Sequence, residues 1–235
     1  MSRRAAAVLA LAAAPLLSGC GGVGTAGTGG RATVWVTRDL GAEVVAVGKV
    51  PAGLTAMQGL RRVASVETRY GGRFVQAVEG IQGSLSARRD WFYYVNGYEA
   101  DRGAVEYRLR SGDVEWWDYR SWRAAMSIPV VVGAFPEPFV HGYGGERRPA
   151  VVVHDASTRV LARRVARRLG ARATPIGTQV GPRANVLRLT CPRGARRSFT
   201  GRFRSSGRSP GDPVLFLATC TDPLAASVRF RYRLP

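Results

Sequence analysis

Apolar and polar residues alternate from Ala32 to Arg38, with Val34 and Val36 on one face, and a second such run extends from Glu43 to Val47. A period of two predicts strands, and Asp39-Leu40-Gly41 between the runs predicts a hairpin with a three-residue loop. Pro51 and Gly53 then break the pattern. Thr55-Ala56-Met57-Gln58 has the spacing of a capping box, in which the Thr hydroxyl accepts from an orphan helix N–H and Gln58 reaches back. Behind it Met57, Leu60 and Ala64, with Val63 beside Leu60, form the apolar stripe of a helix ending near Val66. Met57 on that stripe is expected in the core rather than against a ligand. Thr68 to Tyr70 and Arg73 to Val78 read as two more strands, set off by Gly71-Gly72 and Gly80-Ile81-Gln82-Gly83.

The densest signal follows. Asp90 to Gly97, Gly103 to Tyr107 and Gly112 to Trp117 read as three short strands, and ten aromatic residues fall between Trp91 and Trp122. Flat and branched side chains suit a pleated surface. Asn96-Gly97 and Ser111-Gly112-Asp113 supply residues that tolerate positive φ at turns. Neighbours in a strand point to opposite faces, so Trp91 to Tyr94 and Trp116-Trp117 cannot all point inward. Some rings are therefore expected on an outer face or against the second half of the chain. The order of two strands, a helix and then several strands predicts an α+β fold of β-grasp type, a mixed sheet around one helix, over residues 32–126.

Three patterns carry a family resemblance. They are Trp91-x-Tyr93-x-Val95-Asn96-Gly97, Gly103-Ala104-Val105-Glu106-Tyr107 and Gly112-Asp113-Val114-Glu115-Trp116. Together with the upstream helix and the strand through Phe74 and Val75, this run resembles the C-terminal domain of transcobalamin and intrinsic factor and its relatives in secreted bacterial lipoproteins. The resemblance implies a soluble-ligand-binding β-grasp domain. It makes cobalamin or another corrinoid a ligand to consider, although in the cobalamin carriers a large helical domain covers the other face of the corrin and no such domain is present here. The residues it points to are Tyr93, Asn96, Gly97, Tyr98, Trp117 and Tyr119, as rings or backbone near a ligand edge; Asn96 and Gly97 also read simply as a turn.

Residues 127–235 read as a separate, small α/β or α+β domain of no recognised family. Ile128 to Val132 is a strand candidate, and Gly133 to Phe139 is a Pro-broken loop. Ala150 to His154 is the next strand. Asp155 or Ser157 caps a helix from Thr158 to Leu169, with Val160, Leu161, Val165 and Leu169 on its apolar side and Gly170 as C-cap. Val186 to Thr190, Val214 to Thr219 and Ser227 to Leu234 complete the strands.

Charge separates the two halves. The chain has a formal net charge of +19, with Lys49 its only lysine. Residues 32–126 hold 13 basic against 11 acidic side chains, a net of +2, whereas residues 127–235 hold 19 against 5, a net of +14. An Arg-rich composition also arises from a GC-rich genome. Even so, the asymmetry gives the second half an affinity for anionic surfaces, with Arg163, Arg164, Arg167 and Arg168 on its helix as the contact residues.

Residues 1–20 read as a targeting segment. Arg3 and Arg4 precede an apolar run from Ala5 to Leu17 that is too short to span a bilayer. Leu17-Ser18-Gly19-Cys20 resembles the bacterial lipobox, whose Cys takes the lipid and becomes the first mature residue. Residues 21–31 are a Gly-rich tether. Gly22-x-Gly24-x-x-Gly27 within it lacks the strand and helix that a dinucleotide fingerprint needs. Cys191 and Cys220 remain as an even pair in an exported domain and are expected to form a disulfide.

No catalytic constellation emerges. There is no Gly-x-Ser-x-Gly elbow and no phosphate loop. Asp113 and Glu115 are a carboxylate pair in name, but Asp113 sits in a turn where its side chain bonds nearby N–H groups. His141 and His154 have no third metal ligand near them. Two functions are expected. The first is a non-enzymatic lipoprotein on the outer face of the bacterial cytoplasmic membrane that presents a corrinoid or other small ligand to a membrane partner, a transporter or an envelope complex. The second is an envelope interaction protein whose Arg-rich half binds anionic lipid, wall polymer or, less favoured, nucleic acid.

Overall fold

The computed structural model describes residues 29–204 and 209–234, and the lipobox Cys20 with most of the tether lies outside them. Strands β1 (Arg31–Arg38) and β2 (Glu43–Pro51) form the expected hairpin, but Arg38 pairs with Glu43 and the Ala42 N–H bonds back to Asp39 O, so the loop has four residues rather than the predicted three. Its turn holds Asp39, Leu40 and Gly41 all at positive φ. Helix α1 (Ala56–Arg61) opens on the capping box: the Gln58 N–H donates to Thr55 Oγ1, and the Thr55 N–H to Gln58 Oε1. It ends at Arg61, short of the predicted Val66. Ser65 and Glu79 bond each other and draw the chain into a small antiparallel sheet. That sheet is β3 (Val66–Arg69), β4 (Phe74–Val78) and β5 (Ile81–Gln82).

Strands β6 (Arg89–Val95), β7 (Tyr98–Glu99) and β8 (Val114–Ser121) complete a five-stranded sheet in the order β2-β1-β8-β6-β7. β1 and β8 run parallel and the other pairs antiparallel, so the sheet is mixed. Asn96 and Gly97 form the β6–β7 turn at φ 51° and 82°. The predicted strand at Gly103–Tyr107 is a turn instead. Its carbonyls are spent on the start of α1, where Ala56 N–H donates to Tyr107 O and Met57 N–H to Ala104 O, both at 2.9 Å. Those are helix donors that have no partner inside the helix.

Strands β9 (Ala150–His154), β10 (Arg172–Pro175), β11 (Asn185–Thr190), β12 (Ser198–Phe203) and β13 (Val214–Thr219) form a second sheet in the order β10-β9-β11-β13-β12. β10, β9, β11 and β13 are parallel, with β12 antiparallel at the edge. Helix α2 (Arg159–Leu169) links β9 to β10 and closes on Gly170 in the left-handed conformation. It buries Ala162, Val165, Ala166 and Leu169, while Val160, expected on the apolar side, is 82% exposed. The predicted strand at Ile128–Val132 reduces to a bridge between Tyr98 and Val130, though it is buried against β7. The predicted strand at Ser227–Leu234 is a 3-10 turn (Ala226–Val228) and an extended tail. The alternation there reflects burial of Tyr232 and partial burial of Phe230 against the first sheet, not a ladder. Among the described residues one apolar cluster runs from Ala32 to Tyr232 across both sheets. The fold is α+β, with far more strand than helix.

Candidate functional site

The aromatic strands are covered on both faces. On one face Tyr93 stacks on Trp117, with ring centroids 4.8 Å apart, and Trp91 packs on Tyr119 at 5.3 Å. The small sheet closes over them: Trp91 Nε1 donates to Ile81 O and Tyr119 Oη to Gln82 O. On the other face Trp116 meets Trp35, Tyr94 and Tyr232, so the tail and the second half of the chain are the lid. Asn96, Gly97, Tyr98 and Trp117 are buried. Asn96 Nδ2 donates to Asp113 Oδ1 and Gly142 O, and Tyr98 Oη to Asp212 O. A Cβ on Gly97 would stand 2.7 Å from Val131 O. These four residues, expected at a ligand edge, are packed in the interior. Tyr93 and Tyr119 alone of the six keep partial exposure, and the Tyr93 hydroxyl is bonded to Arg102 O.

Three carboxyl groups lie inside the same sheet and its turns. Asp113 accepts from Asn96 Nδ2, the Arg110 N–H and Tyr107 Oη, which makes it the turn anchor its position predicted. Burial still holds its carboxyl above the usual range. Glu115 is raised well above that range by burial. One of its oxygens accepts from Trp117 Nε1 at 2.6 Å, and the other has no partner among the described residues. That second oxygen faces Gly59, where a Cβ would lie 2.7 Å away. Asp118 has the opposite surroundings, with donors from Thr37 Oγ1, the Leu40 and Gly41 N–H groups and Tyr232 Oη. Asp113 and Glu115 are thus both buried, and their hydrogen bonds run to neighbouring groups of the same fold.

Of the two histidines, His141 is exposed and its Nδ1 lies 2.5 Å from Glu137 Oε1. Burial raises the Glu137 carboxyl, an effect the hydrogen bonds from His141 oppose. Among the described residues no group of three or more His, Cys, Asp or Glu side chains is placed to hold a metal ion.

The second sheet carries the charged site. Arg159, Arg163 and Arg167 stand four residues apart on α2, so they form a ridge with a step of about 6 Å along the helix axis. They wall a groove of about 800 Å3 between α2 and the edge strand β10. Its floor is Ala166, Ala171 and Ala173, with His154 and Asp155 at one end and Ile176 nearby. All three arginines are exposed, and among the described residues none is in an ion pair. Of the four arginines singled out in the sequence, Arg163 and Arg167 line this groove. Arg164 is tied to Asp222, and Arg168 is exposed outside the groove lining. Arg159 completes the ridge and is absent from the sequence-based set. The four-residue spacing of 159, 163 and 167 is the signal that identifies it.

The groove takes its positive character from these side chains rather than from the helix end. The N-cap is Thr158 rather than the predicted Asp155 or Ser157, and Asp155 stands just before that end, accepting from the Thr158 N–H and hydroxyl, Ser157 Oγ and the Cys191 N–H. Burial pulls its carboxyl up, but the hydrogen bonds from Ser157, Cys191 and Thr158 outweigh that and hold it down at about 2. Cys191 follows β11 and Cys220 follows β13, and the two form the expected disulfide. It clamps the carboxyl ends of neighbouring parallel strands beside the Asp155 turn.

A search of curated proteins finds no match. Among solved structures the chain is similar to a candidate metal-binding protein from Ruminococcus gnavus, at 15% identity and a TM-score of 0.31, over 40% of this chain and 98% of that one. A family described as a domain of unknown function, DUF4430, matches residues 53–121, the stretch from the start of α1 to the end of β8.

Proposed function

We propose that the protein is a non-catalytic binding module of the bacterial envelope that holds a linear phosphate polymer along the α2 groove. The observation that carries this reading is the contrast between the two charged and aromatic features. The rings are spent on packing, whereas Arg159, Arg163 and Arg167 are exposed, regularly spaced over an open groove and outside every ion pair among the described residues. A ridge of guanidinium forks suits successive phosphates, which they bind bidentately. Equilibrium titration with long-chain inorganic polyphosphate at moderate salt tests it. Saturable binding that weakens at least about tenfold in Arg159→Ala/Arg163→Ala/Arg167→Ala supports the reading. Equal binding by the wild type and that folded variant would refute it.

The first half serves this function as a scaffold. Its mixed sheet with α1 and a small sheet on one face supports a β-grasp assignment, and the DUF4430 match to residues 53–121 lies within it. The transcobalamin-like relationship and the division near residue 127 belong to the same proposal. Acylation at Cys20 would keep the groove near the outer face of the cytoplasmic membrane. Intact-mass measurement of the membrane fraction should show a lipid adduct that Cys20→Ser abolishes. A corrinoid site would have to use Tyr93 and Tyr119, the only two of the six predicted contact residues with surface left. Quenching of Trp fluorescence by cobinamide, lost in Tyr93→Ala, would revive that reading.

A further inference from the structure

The β3–β4 hairpin ends in a feature that neither the core nor the α2 groove uses. Tyr70 is 78% exposed and Phe74 is 43% exposed, with their rings edge to face at 6.2 Å. Tyr70 sits at φ 53°, and Gly71 and Gly72 follow at 67° and 88°. A bulky residue in the left-handed region is costly, and Gly or Asn is the usual occupant of such a turn. Here Tyr holds the position and buries little of its ring, so core packing does not account for it. Arg69 precedes Tyr70 and Arg73 precedes Phe74, and Arg61 reaches the same hairpin through Thr68 Oγ1. Among the described residues none of these three arginines is in an ion pair. The hairpin's own carboxylates lie toward its other end: Glu67 is opposite Ala77, and Glu79 follows β4 and is bonded to Ser65 N–H. β5 runs antiparallel to β4, so the chain after Gln82 returns toward the Phe74 end and presents Leu85, 83% exposed, in the next turn.

We infer that this hairpin tip is an interfacial anchor that beds Tyr70 and Phe74 into the headgroup layer of an anionic bilayer, with Arg69 and Arg73 on the lipid phosphates. Exposed aromatic side chains beside arginines are what the boundary of a charged membrane selects, because the rings have an apolar body and the guanidinium groups stay at headgroup depth. The tip is separate from the α2 groove and does not depend on it.

The test uses the full chain with Cys20→Ser, so that no acyl group can mask weak binding. Co-sedimentation is measured with phosphatidylcholine vesicles, with and without about one-third phosphatidylglycerol. Binding is expected only with the anionic lipid. It should fall about tenfold or more in Tyr70→Ser/Phe74→Ser and in Arg69→Gln/Arg73→Gln, and hold at the wild-type value in Arg193→Gln/Arg196→Gln, which removes the same charge from exposed residues outside both the tip and the α2 groove. Tyr70→Trp adds a depth readout: its extra emission should shift to the blue on vesicles and be quenched by brominated acyl chains. Thermal midpoints should stay near wild type, since the replaced side chains are exposed. Wild-type vesicle binding by both tip variants would overturn the inference, as would extra emission from Tyr70→Trp that stays unquenched on vesicle-bound protein. So would a tip-dependent affinity for polyphosphate without any affinity for vesicles.

Discussion

Asp118 and Glu115 stand three residues apart on one strand, both fully buried, and they differ in how many donors surround them. Asp118 accepts four donors and binds three parts of the chain together: β1 through Thr37, the β1–β2 turn through Leu40 and Gly41, and the tail through Tyr232. The two backbone bonds also hold Leu40 at φ 60°, a conformation it would otherwise avoid. Asp118→Ala strands those donors in the interior and should cost about 3–5 kcal/mol in a denaturant melt. Glu115 has one donor and an orphan oxygen, and burial favours its neutral form. The folded state therefore keeps a proton that the unfolded state releases above about pH 4–5. Stability from this group is highest below that window and falls as pH rises, until the folded carboxyl ionises. Glu115→Gln is neutral at every pH. Its melting temperature should exceed wild type at pH 7–8 and converge with it near pH 4. A Glu115→Gln curve parallel to wild type across that range would contradict a protonated Glu115. Gly59 belongs to the same contact: a methyl there meets Glu115 and Leu109, so Gly59→Ala should destabilise by about 1–3 kcal/mol despite its gain in helix propensity.

The elements that can be read from the sequence are those whose signals are local. The capping box at Thr55 and Gln58, the Asn96-Gly97 turn and the Gly170 C-cap each depend on a few adjacent residues, and each is present. The failures need partners distant in sequence. Gly103–Tyr107 carries strand-like residues, but its carbonyls serve α1. Tyr232 and Phe230 alternate in burial because the first sheet receives them, which the tail's own pattern does not reveal. Edge strands β10 and β12 are Arg-, Thr- and Gly-containing segments whose apolar period is too weak to see. The disulfide is legible from parity alone, and its role comes with the topology, since it fastens β11 to β13 beside the Asp155 turn that leads into α2. Cys191→Ser/Cys220→Ser should lower stability by about 2–4 kcal/mol under oxidising conditions and abolish the effect of reductant on the melt. The Asp155 carboxyl, depressed to about 2 in the fold, adds stability above its unfolded value near 4 that is lost as pH falls toward 2. Asp155→Asn should remove that acid-side loss, read as a flatter stability profile between about pH 4 and 2.

Across the molecule, the charge asymmetry between residues 32–126 and 127–235 is plain in the sequence, whereas the arrangement of the arginines into a ridge over a groove depends on the fold. The aromatic run suggests a ligand platform because consecutive rings must point both ways. They do, but each face has a cover: α1 and the small sheet on one side, the C-terminal half on the other. The rings are thus the joint between the two halves, and the open chemistry passes to the arginine ridge of α2. A basic site that works by phosphate contacts has a quantitative signature, because each contact releases condensed counterions. The decisive measurement is the affinity for long-chain polyphosphate as a function of salt, for wild type and for Arg159→Ala/Arg163→Ala/Arg167→Ala. Wild type should show a linear fall of log K with log salt, and the triple variant a slope shallower by about 2, at roughly 0.7 per lost phosphate contact. Identical slopes and affinities in a folded variant would show that the α2 groove is not where the protein binds.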